Sequence, residues 1–430
     1  MDRTMINQIE KFNNETVCIK GWLHRTRKLS KIAFIQLRDR TGLIQCVVSK
    51  DRFEQIKNLK LESILEIIGK VSESTNSTGN YEIQVDSLNI LSAVTEDMPI
   101  EINTEDMNIN IDTELNHRVL SLRNVKNKAI FEIQAQISES FRRFLTSRSF
   151  TEIFTSKIVA QGAEGGTALF KVKYFEKDAY LTQSPQFYKQ MMVGAGFERV
   201  FEVAHVYRAE EHNTVRHLNE YVSMDLEMGF IKDETELIEL ETQFLKYMLL
   251  ELKNNYSKQL ELLGAELPVI EGKIPCLKLS DAINILKQEY GKNELENDLD
   301  PEGEKLISDY VKNKFDSDFV FLTHYPISKR PMYTMPLDTS VTRSFDLIFR
   351  GLEITTGGQR INDYNMLKQS MINKGLNPED FSDYMNVFKY GMPPHGGLAI
   401  GLERITCQLL GYRNVRYGSL FPRDRTRVTP

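Results

Sequence analysis

The hydrophobic pattern changes its period once along the chain, and that change constrains the fold more than any other feature. From Thr16 to about Ile90, short segments alternate apolar and polar residues (TVCIKGWL, KIAFIQLRD, LIQCVVS, SILEIIGKV, YEIQVDSLNIL), separated by turn-like pieces such as DRTG and STNSTGN. Five strands punctuated in this way predict a small β-barrel. Further on, Ile130, Ile133, Ile137, Phe141 and Phe144 recur at three and four residues, the stripe of an amphipathic helix. Between the two patterns lies TEDMPIEINTEDMNINIDTE, acidic, polar and weakly periodic. The expected organisation is a barrel over 1–95, a hinge over 96–125 and a larger sheet-based domain over 126–430. The lysine- and glutamate-rich stretch 254–314 reads as a helical insertion in that domain. This makes the chain α+β, and 430 residues suffice for two or three domains.

Hydrophobic residues at 41% and charged residues at 27% are globular proportions and exclude a disordered or collagen-like chain. No window approaches 18 uncharged apolar residues, and the start, MDRTMINQIEKFNNETV, is charged throughout, so neither a membrane span nor a signal peptide is expected. Cys18, Cys46, Cys276 and Cys407 stand apart with no CxxC pair, which fits a reduced cytoplasm better than a zinc ribbon or disulfide scaffold. A net charge of -6 is not that of a general nucleic-acid binder. Residues 1–90, however, carry 14 Lys+Arg against 11 Asp+Glu, and Arg25, Arg27, Lys28 and Lys31 crowd one stretch. These four cations read either as a solvated hairpin loop or as the place where a nucleic acid first meets an oligonucleotide-binding (OB) barrel.

Two strands of the larger domain divide their faces unusually. In ERVFEVAHVYRAE, Glu202, Val206, Arg208 and Glu210 share one side, and in NEYVSMDLEMGF, Tyr221, Ser223, Asp225 and Glu227 lie opposite an apolar row. The polar loop EHNTVRHL joins them, so a hairpin would place Arg208, Glu210, Tyr221 and Asp225 on one platform. A sheet solvated on one side predicts such alternation by itself, and this suffices for Glu202 and Glu227.

The string VYRAEEHNTVRHLNEYVSMDLE resembles motif 2 of the class II aminoacyl-tRNA synthetases, and GGLAIGLERITCQLLG resembles their motif 3. QSPQFYKQM, GAEGGTALF, RPMYTMP, GLEITTGGQRIND and SLFPRDRTRVTP are similar to the aspartyl-tRNA synthetases of the archaeal and eukaryotic type. The resemblance covers nearly the whole chain in order. It implies an N-terminal OB-fold anticodon-binding barrel, a class II catalytic domain with an antiparallel β-sheet flanked by helices, and a homodimer. The implied reaction uses ATP and magnesium to form aspartyl adenylate from L-aspartate, then aspartylates the 3′ end of tRNA(Asp).

Such chemistry calls for positioning and electrostatics rather than a strong base, because a carboxylate is already a nucleophile. By resemblance Arg208 contacts the α-phosphate and the substrate carboxylate, its fork serving two oxygens. Arg404, in the first turn of a helix, suits a γ-phosphate. His217 is the second basic residue of motif 2, Tyr221 stacks under adenine, Glu210 reads the adenine amino group, and Gly401 lies in the glycine-rich strand of motif 3. Asp346 and Glu353 are candidates for magnesium, with Thr356 as helper. On one regular strand, positions seven apart face opposite ways, so this pair requires a bulge, expected at Gly351.

Arg360 and Lys189 are implied to bind the side-chain carboxylate of aspartate, Gln186 and Asp225 its α-amino group. Gln186 and Lys189 share a helix face after the Ser184-Pro185 start signal. Glu164, in GAEGGT, matches a loop that closes over the substrate. A buried arginine facing neutral asparagine would be left partly unpaired at roughly 3 to 5 kcal/mol, a preference for aspartate of about a hundredfold or more.

On the barrel, KIAFIQLRD turns Ala33, Ile35 and Leu37 inward and Phe34, Gln36 and Arg38 outward. Phe34 offers a ring for base stacking, and Phe34 and Gln45 match family positions that read the anticodon. His24 stands where some members have tryptophan; members with histidine are less strict about the third anticodon base, which points to tRNA(Asn) as a second acceptor, whereas a surface histidine in a basic loop is the plain alternative. The chain departs from the pattern at Ser156 (a motif 1 proline), Ala399 (a motif 3 glycine), Leu352 and Tyr417. The departures leave open lower activity or a specialised second copy. Rival readings are an asparaginyl-tRNA synthetase, against which Arg330-Pro331 and Gln359-Arg360 speak, a diverged paralogue, and a non-catalytic RNA-binding protein.

Overall fold

The computed structural model describes residues 1–29, 32–76, 78–160, 162, 169–211 and 214–430. The chain divides into two compact units, Met1–Asn124 and Val125–Pro430.

In the first unit β1 (Thr16–Lys28), β2 (Ile32–Arg38), β3 (Leu43–Ser49), β4 (Ile64–Asn76) and β5 (Gly79–Ser92) close into a barrel of order β1-β2-β3-β5-β4, with α1 (Lys50–Glu54) after β3. Closure leaves no edge strand exposed. Alternation sends Ala33, Ile35 and Leu37 into the core, each 0% exposed. Arg38, expected outward, is only 6% exposed: its Nη2 pairs with buried Glu62 at 2.7 Å. The acidic stretch read as a hinge carries α2 (Ile111–Asn116) and α3 (Arg118–Ser121). Asn110 caps the first helix through Thr113 N, and Glu114 and Arg118 form a buried pair at 2.6 Å. Such a pair hides inside a polar composition, which is why the helices escaped the sequence reading.

The second unit begins with α4 (Val125–Thr146), whose predicted stripe Ile130, Ile133, Ile137, Phe141 and Phe144 is buried. Next come β6 (Thr151–Glu152), a small sheet of β7 (Ile158–Val159), β8 (Lys171–Tyr174) and β9 (Lys177–Leu181), and α5 (Gln186–Met192). The chain continues through β10 (Arg199–Tyr207), β11 (Glu220–Gly229), α6 (Thr235–Asn255), α7 (Ser257–Leu263), β12 (Cys276–Lys278), α8 (Leu279–Tyr290), α9 (Pro301–Phe315) and β13 (Phe319–Thr323). It ends with β14 (Ser344–Phe349), β15 (Leu352–Arg360), α10 (Tyr364–Asn373), α11 (Ser382–Lys389), β16 (His395–Gly401) and α12 (Leu402–Leu409). One large sheet of order β12-β13-β14-β15-β16-β11-β10-β6 organises the unit; its pairings are antiparallel except at the two ends. Phe141, Phe144 and Phe244 of the long helices pack edge to face over it. The stretch read as a helical insertion also supplies the edge strand β12. Among the described residues no helix is long and apolar enough to cross a membrane.

Candidate active site

The β10–β11 hairpin pairs Val206 with Tyr221 and Glu202 with Asp225. Just beyond β10 the backbone is locked: Arg208 N donates to Asn219 O at 2.9 Å, and Asn219 Nδ2 returns bonds to the carbonyls of Arg208 (2.7 Å) and Glu210 (3.1 Å). This fixes the platform from which Arg208, Glu210 and Tyr221 face a cleft of about 670 Å³, counted with its open mouth. Arg216, His217, Glu353, Thr356, Gly401 and Arg404 also line it. The cleft thus gathers every residue expected at a nucleotide, and Ala399 also lines it. The Arg208 guanidinium sits 5.7 Å from the Tyr221 ring centroid. His217 Nδ1 lies 2.6 Å from Thr214 Oγ1, and burial, seconded by Arg404, lowers its pKa. Four cationic or ring-nitrogen side chains and an aromatic face suit a polyphosphate carrying a base.

Glu403, at the start of α12, accepts Val222 N on both oxygens at 3.0 and 3.1 Å. β16 pairs with β11 only as far as Ser223 and Gly401, so this carboxyl takes the place of a missing strand next to Tyr221. Burial pushes it up to about 8.

Behind the platform lies a buried charge cluster. Lys189 Nζ is 2.8 Å from Asp225 Oδ1 and 3.6 Å from Glu227 Oε2. Arg360 donates from Nε to Glu227 Oε1 at 3.0 Å and from Nη2 to Gln186 Oε1 at 3.3 Å and Gly397 O at 3.0 Å. Gln186, Lys189, Asp225 and Arg360 are therefore brought together as expected, but with Glu227 at their centre. The face of β10 and β11 expected to be solvated is buried: Glu202 is 2% and Glu227 0% exposed, and Lys157 neutralises Glu202 at 2.7 Å. Burial raises the Glu227 carboxyl, yet Arg360 and Lys189 outweigh it and leave it below its ordinary value. The estimate of aspartate preference counted the arginine alone, whereas here two cations, Lys189 and Arg360, meet two carboxylates, Asp225 and Glu227. The signal for Glu227 was present in the strand alternation that sets it beside Asp225. Glu164 lies outside the described residues.

Asp346 and Glu353 do not share a strand. β14 and β15 form a hairpin whose turn residues, Arg350 (φ 47°) and Gly351 (φ 82°), both have positive φ. The bulge is not at Gly351; it falls where Leu347 pairs with Thr355 but Ile348 with Glu353, leaving Ile354 as the extra residue. That one-residue shift turns Glu353 to the face of Thr356, the cross-strand neighbour of Asp346, and Thr356 Oγ1 lies 3.4 Å from Glu353 Oε1. Asp346 Oδ1 is 2.8 Å from Arg330 Nη2 without the angle of a hydrogen bond. Burial pushes Asp346 up to about 6, Arg330 opposing and Glu353 adding to the rise. Two carboxylates and a hydroxyl beside a phosphate-sized cleft fit a hard cation that keeps several waters and phosphate oxygens, although among the described residues no group of three or more acidic, histidine or cysteine ligands stands ready on its own.

On the barrel, β1 bulges between Leu23 and Arg25, and His24 is the extra residue. A bulge re-aims its side chain: His24 is 8% exposed, not a surface loop residue. Its Nδ1 lies 3.3 Å from Arg38 Nη1, and burial with Arg38 lowers its pKa to about 4. Phe34 is half-buried. Gln45 pairs across the strands with Gln36 and donates to Glu82 at 2.9 Å.

Residues 110–425 match the family described as tRNA synthetases class II (D, K and N), and residues 17–91 match the OB-fold nucleic acid binding domain. The chain belongs to these class II synthetases. Within them it falls with the aspartate–tRNA ligases: it is 49% identical to the Aspartate--tRNA(Asp/Asn) ligase of Thermus thermophilus over 100% of both chains. It is 47% identical to the enzyme of the same name from Deinococcus radiodurans, over 100% of this chain and 99% of that one. Among solved structures, asparaginyl-tRNA synthetase from Pyrococcus horikoshii complexed with asparaginyl-adenylate superposes with a TM-score of 0.93 at 29% identity, covering 100% of each chain.

Proposed function

We propose that the chain activates L-aspartate with ATP to aspartyl-AMP and then aspartylates the terminal adenosine of tRNA(Asp). The observation that carries this reading is the bond from Ser223 Oγ to Asp225 Oδ2 (2.5 Å). Ser223 lines the nucleotide cleft and Asp225 belongs to the charge cluster, so the two compartments meet at one point. A substrate α-carboxylate there would be ionised already; it bonds to the α-phosphorus while the bond to pyrophosphate breaks. A hydroxyl of the terminal adenosine then attacks the acyl carbon and AMP leaves. Arg208 would align carboxylate and α-phosphate, Tyr221 and Glu210 would hold adenine, and His217, Gly401 and Arg404 would receive the outer phosphates. Gln186 and Asp225 would take the α-ammonium, Lys189 and Arg360 the side-chain carboxylate, with Glu164 assigned to the loop over them. Asp346, Glu353 and Thr356 would hold magnesium, which supplies neutralisation of phosphate charge. Aspartate-dependent pyrophosphate exchange tests the reading: Arg208→Ala abolishes it, unchanged exchange refutes that role, and exchange with asparagine instead of aspartate favours the asparaginyl rival.

Charging of tRNA(Asn) as well is the second reading, supported by His24 on its bulge and by the names of the two relatives. Aminoacylation of separated tRNA(Asp) and tRNA(Asn) with radioactive aspartate decides it. A homodimer is part of the proposal, supported by the family resemblance and by Phe154, 86% exposed beside Ser156; light scattering measures it. A cytoplasmic location is supported by four free cysteines, three of them buried.

A further inference from the structure

Helix α9 lies outside the sequence motifs, yet it reaches the cleft. It starts at Pro301 after the Asp300 cap and carries Glu304 in its first turn. Glu304 Oε2 accepts Glu353 N at 3.1 Å and pairs with the Arg216 guanidinium. The backbone bond matters because β16 pairs with β15 only from Thr355 onward, so among the described residues Glu353 N has no strand partner on that side. One turn later, Ser308 Oγ accepts Gly351 N at 2.9 Å, and the two side chains fasten one face of α9 to the β14–β15 hairpin. Glu353 O is taken by Arg404 Nη1 at 3.0 Å. Both backbone groups of Glu353 are thus held by side chains, Glu304 at the N–H and Arg404 at the carbonyl. Arg216 is on the motif 2 loop and lines the cleft beside His217 and Arg404.

We propose that Glu304 is a positioning residue for the nucleotide: it holds Arg216 against the cleft wall and, through the same oxygen, fixes the backbone of Glu353. This rests on the reading of the cleft as the ATP site. Arginine has large rotamer freedom on a loop, and an anchoring carboxylate spends that cost before ligand arrives. A carboxylate of merely structural value would change stability and leave nucleotide affinity alone.

The test is calorimetric titration of the full chain with a non-hydrolysable ATP analogue and magnesium, alongside exchange kinetics. Glu304→Ala is expected to weaken the analogue and raise KM for ATP about tenfold, with KM for aspartate unchanged. Glu304→Gln, which keeps an acceptor for Glu353 N, falls between. In an Arg216→Ala background, Glu304→Ala adds clearly less than about tenfold, only the part carried through Glu353 N, because residues that act together are not additive. Glu304→Ala that melts earlier but binds the analogue like wild type, or that shows full additivity with Arg216→Ala, overturns the inference alone. Wild-type protein that binds no analogue overturns it together with the ATP reading.

Discussion

Arg360 and Glu227 form an ion pair, 3.0 Å from Nε to Oε1, in which the side chains are 7% and 0% exposed. Arg360 is therefore not an unmatched cation awaiting an anionic substrate. In the proposed reading, an aspartate side-chain carboxylate would meet the guanidinium edge left over after Glu227, Gln186 and Gly397 are served, with Lys189 beside it. Glu227→Gln keeps the volume and removes the charge, leaving Lys189 and Arg360 with Asp225 alone. Breaking a buried pair from one side costs about 3 to 5 kcal/mol, so the urea midpoint should fall accordingly. A change under about 1 kcal/mol, the range of exposed pairs, would contradict the burial of the cluster.

His395 is held neutral by its neighbours. Pro393 O, 2.9 Å from Nδ1, can only accept, so Nδ1 carries the proton. Gln190 Oε1 accepts from Gln186 Nε2 (3.1 Å) and Tyr384 Oη (3.0 Å), which points Gln190 Nε2 at His395 Nε2 (2.8 Å) as a donor. A second ring proton would set N–H against N–H. Burial lowers the pKa from 6.5 to about 4. Between these values the unfolded chain binds a proton that the folded chain refuses, so this contribution is complete above pH 6.5 and is lost as pH falls toward 4. The loss amounts to about 3 kcal/mol. Urea titrations across that window should show a shallower pH slope for His395→Gln than for wild type; equal slopes would show that another group carries the dependence.

Local periodicity made the barrel legible, because each strand's alternation reports its own faces. All five quoted segments became strands, and Ala33, Ile35 and Leu37 point into the core. Alternation on the local β10–β11 hairpin likewise set Arg208, Glu210 and Tyr221 on one platform, whereas Glu353, Gly401 and Arg404, on distant elements, were expected in the cleft only through the family resemblance. The buried acids were misread because charge normally means exposure, and only the fold reveals that Lys157, Lys189 and Arg360 cover Glu202 and Glu227. The bulges at His24 and Ile354 were illegible in position, since each depends on how two strands register. Glu304 had no signal at all: it approaches Arg216 and Glu353 only after a crossover of the chain.

The bulge at Ile354 makes a separate prediction for the cation. Glu353→Gln preserves the backbone contacts to Glu304 and Arg404 but removes a hard anionic oxygen. The magnesium concentration for half-maximal exchange should rise about tenfold or more, while KM for aspartate stays constant. Asp346→Asn should raise it less, because Asp346 already faces Arg330 at 2.8 Å. A parallel rise in KM for aspartate would place Glu353 with the amino acid instead.

Phe34 tests the barrel independently of the chemistry. Its ring is half-buried on β2, flanked in register by Arg27 of β1 and Val47 of β3, and Gln36 two residues on pairs with Gln45. Stacking of one unpaired base on such a ring is worth about 1 to 3 kcal/mol. Phe34→Ala should therefore weaken tRNA binding by about fivefold to somewhat over a hundredfold in filter binding at fixed salt. Pyrophosphate exchange needs no tRNA in this reading and should be unchanged. A variant that loses exchange while binding tRNA normally would mean that Phe34 supports the fold rather than a base, and the anticodon would have to be sought on another face of the barrel.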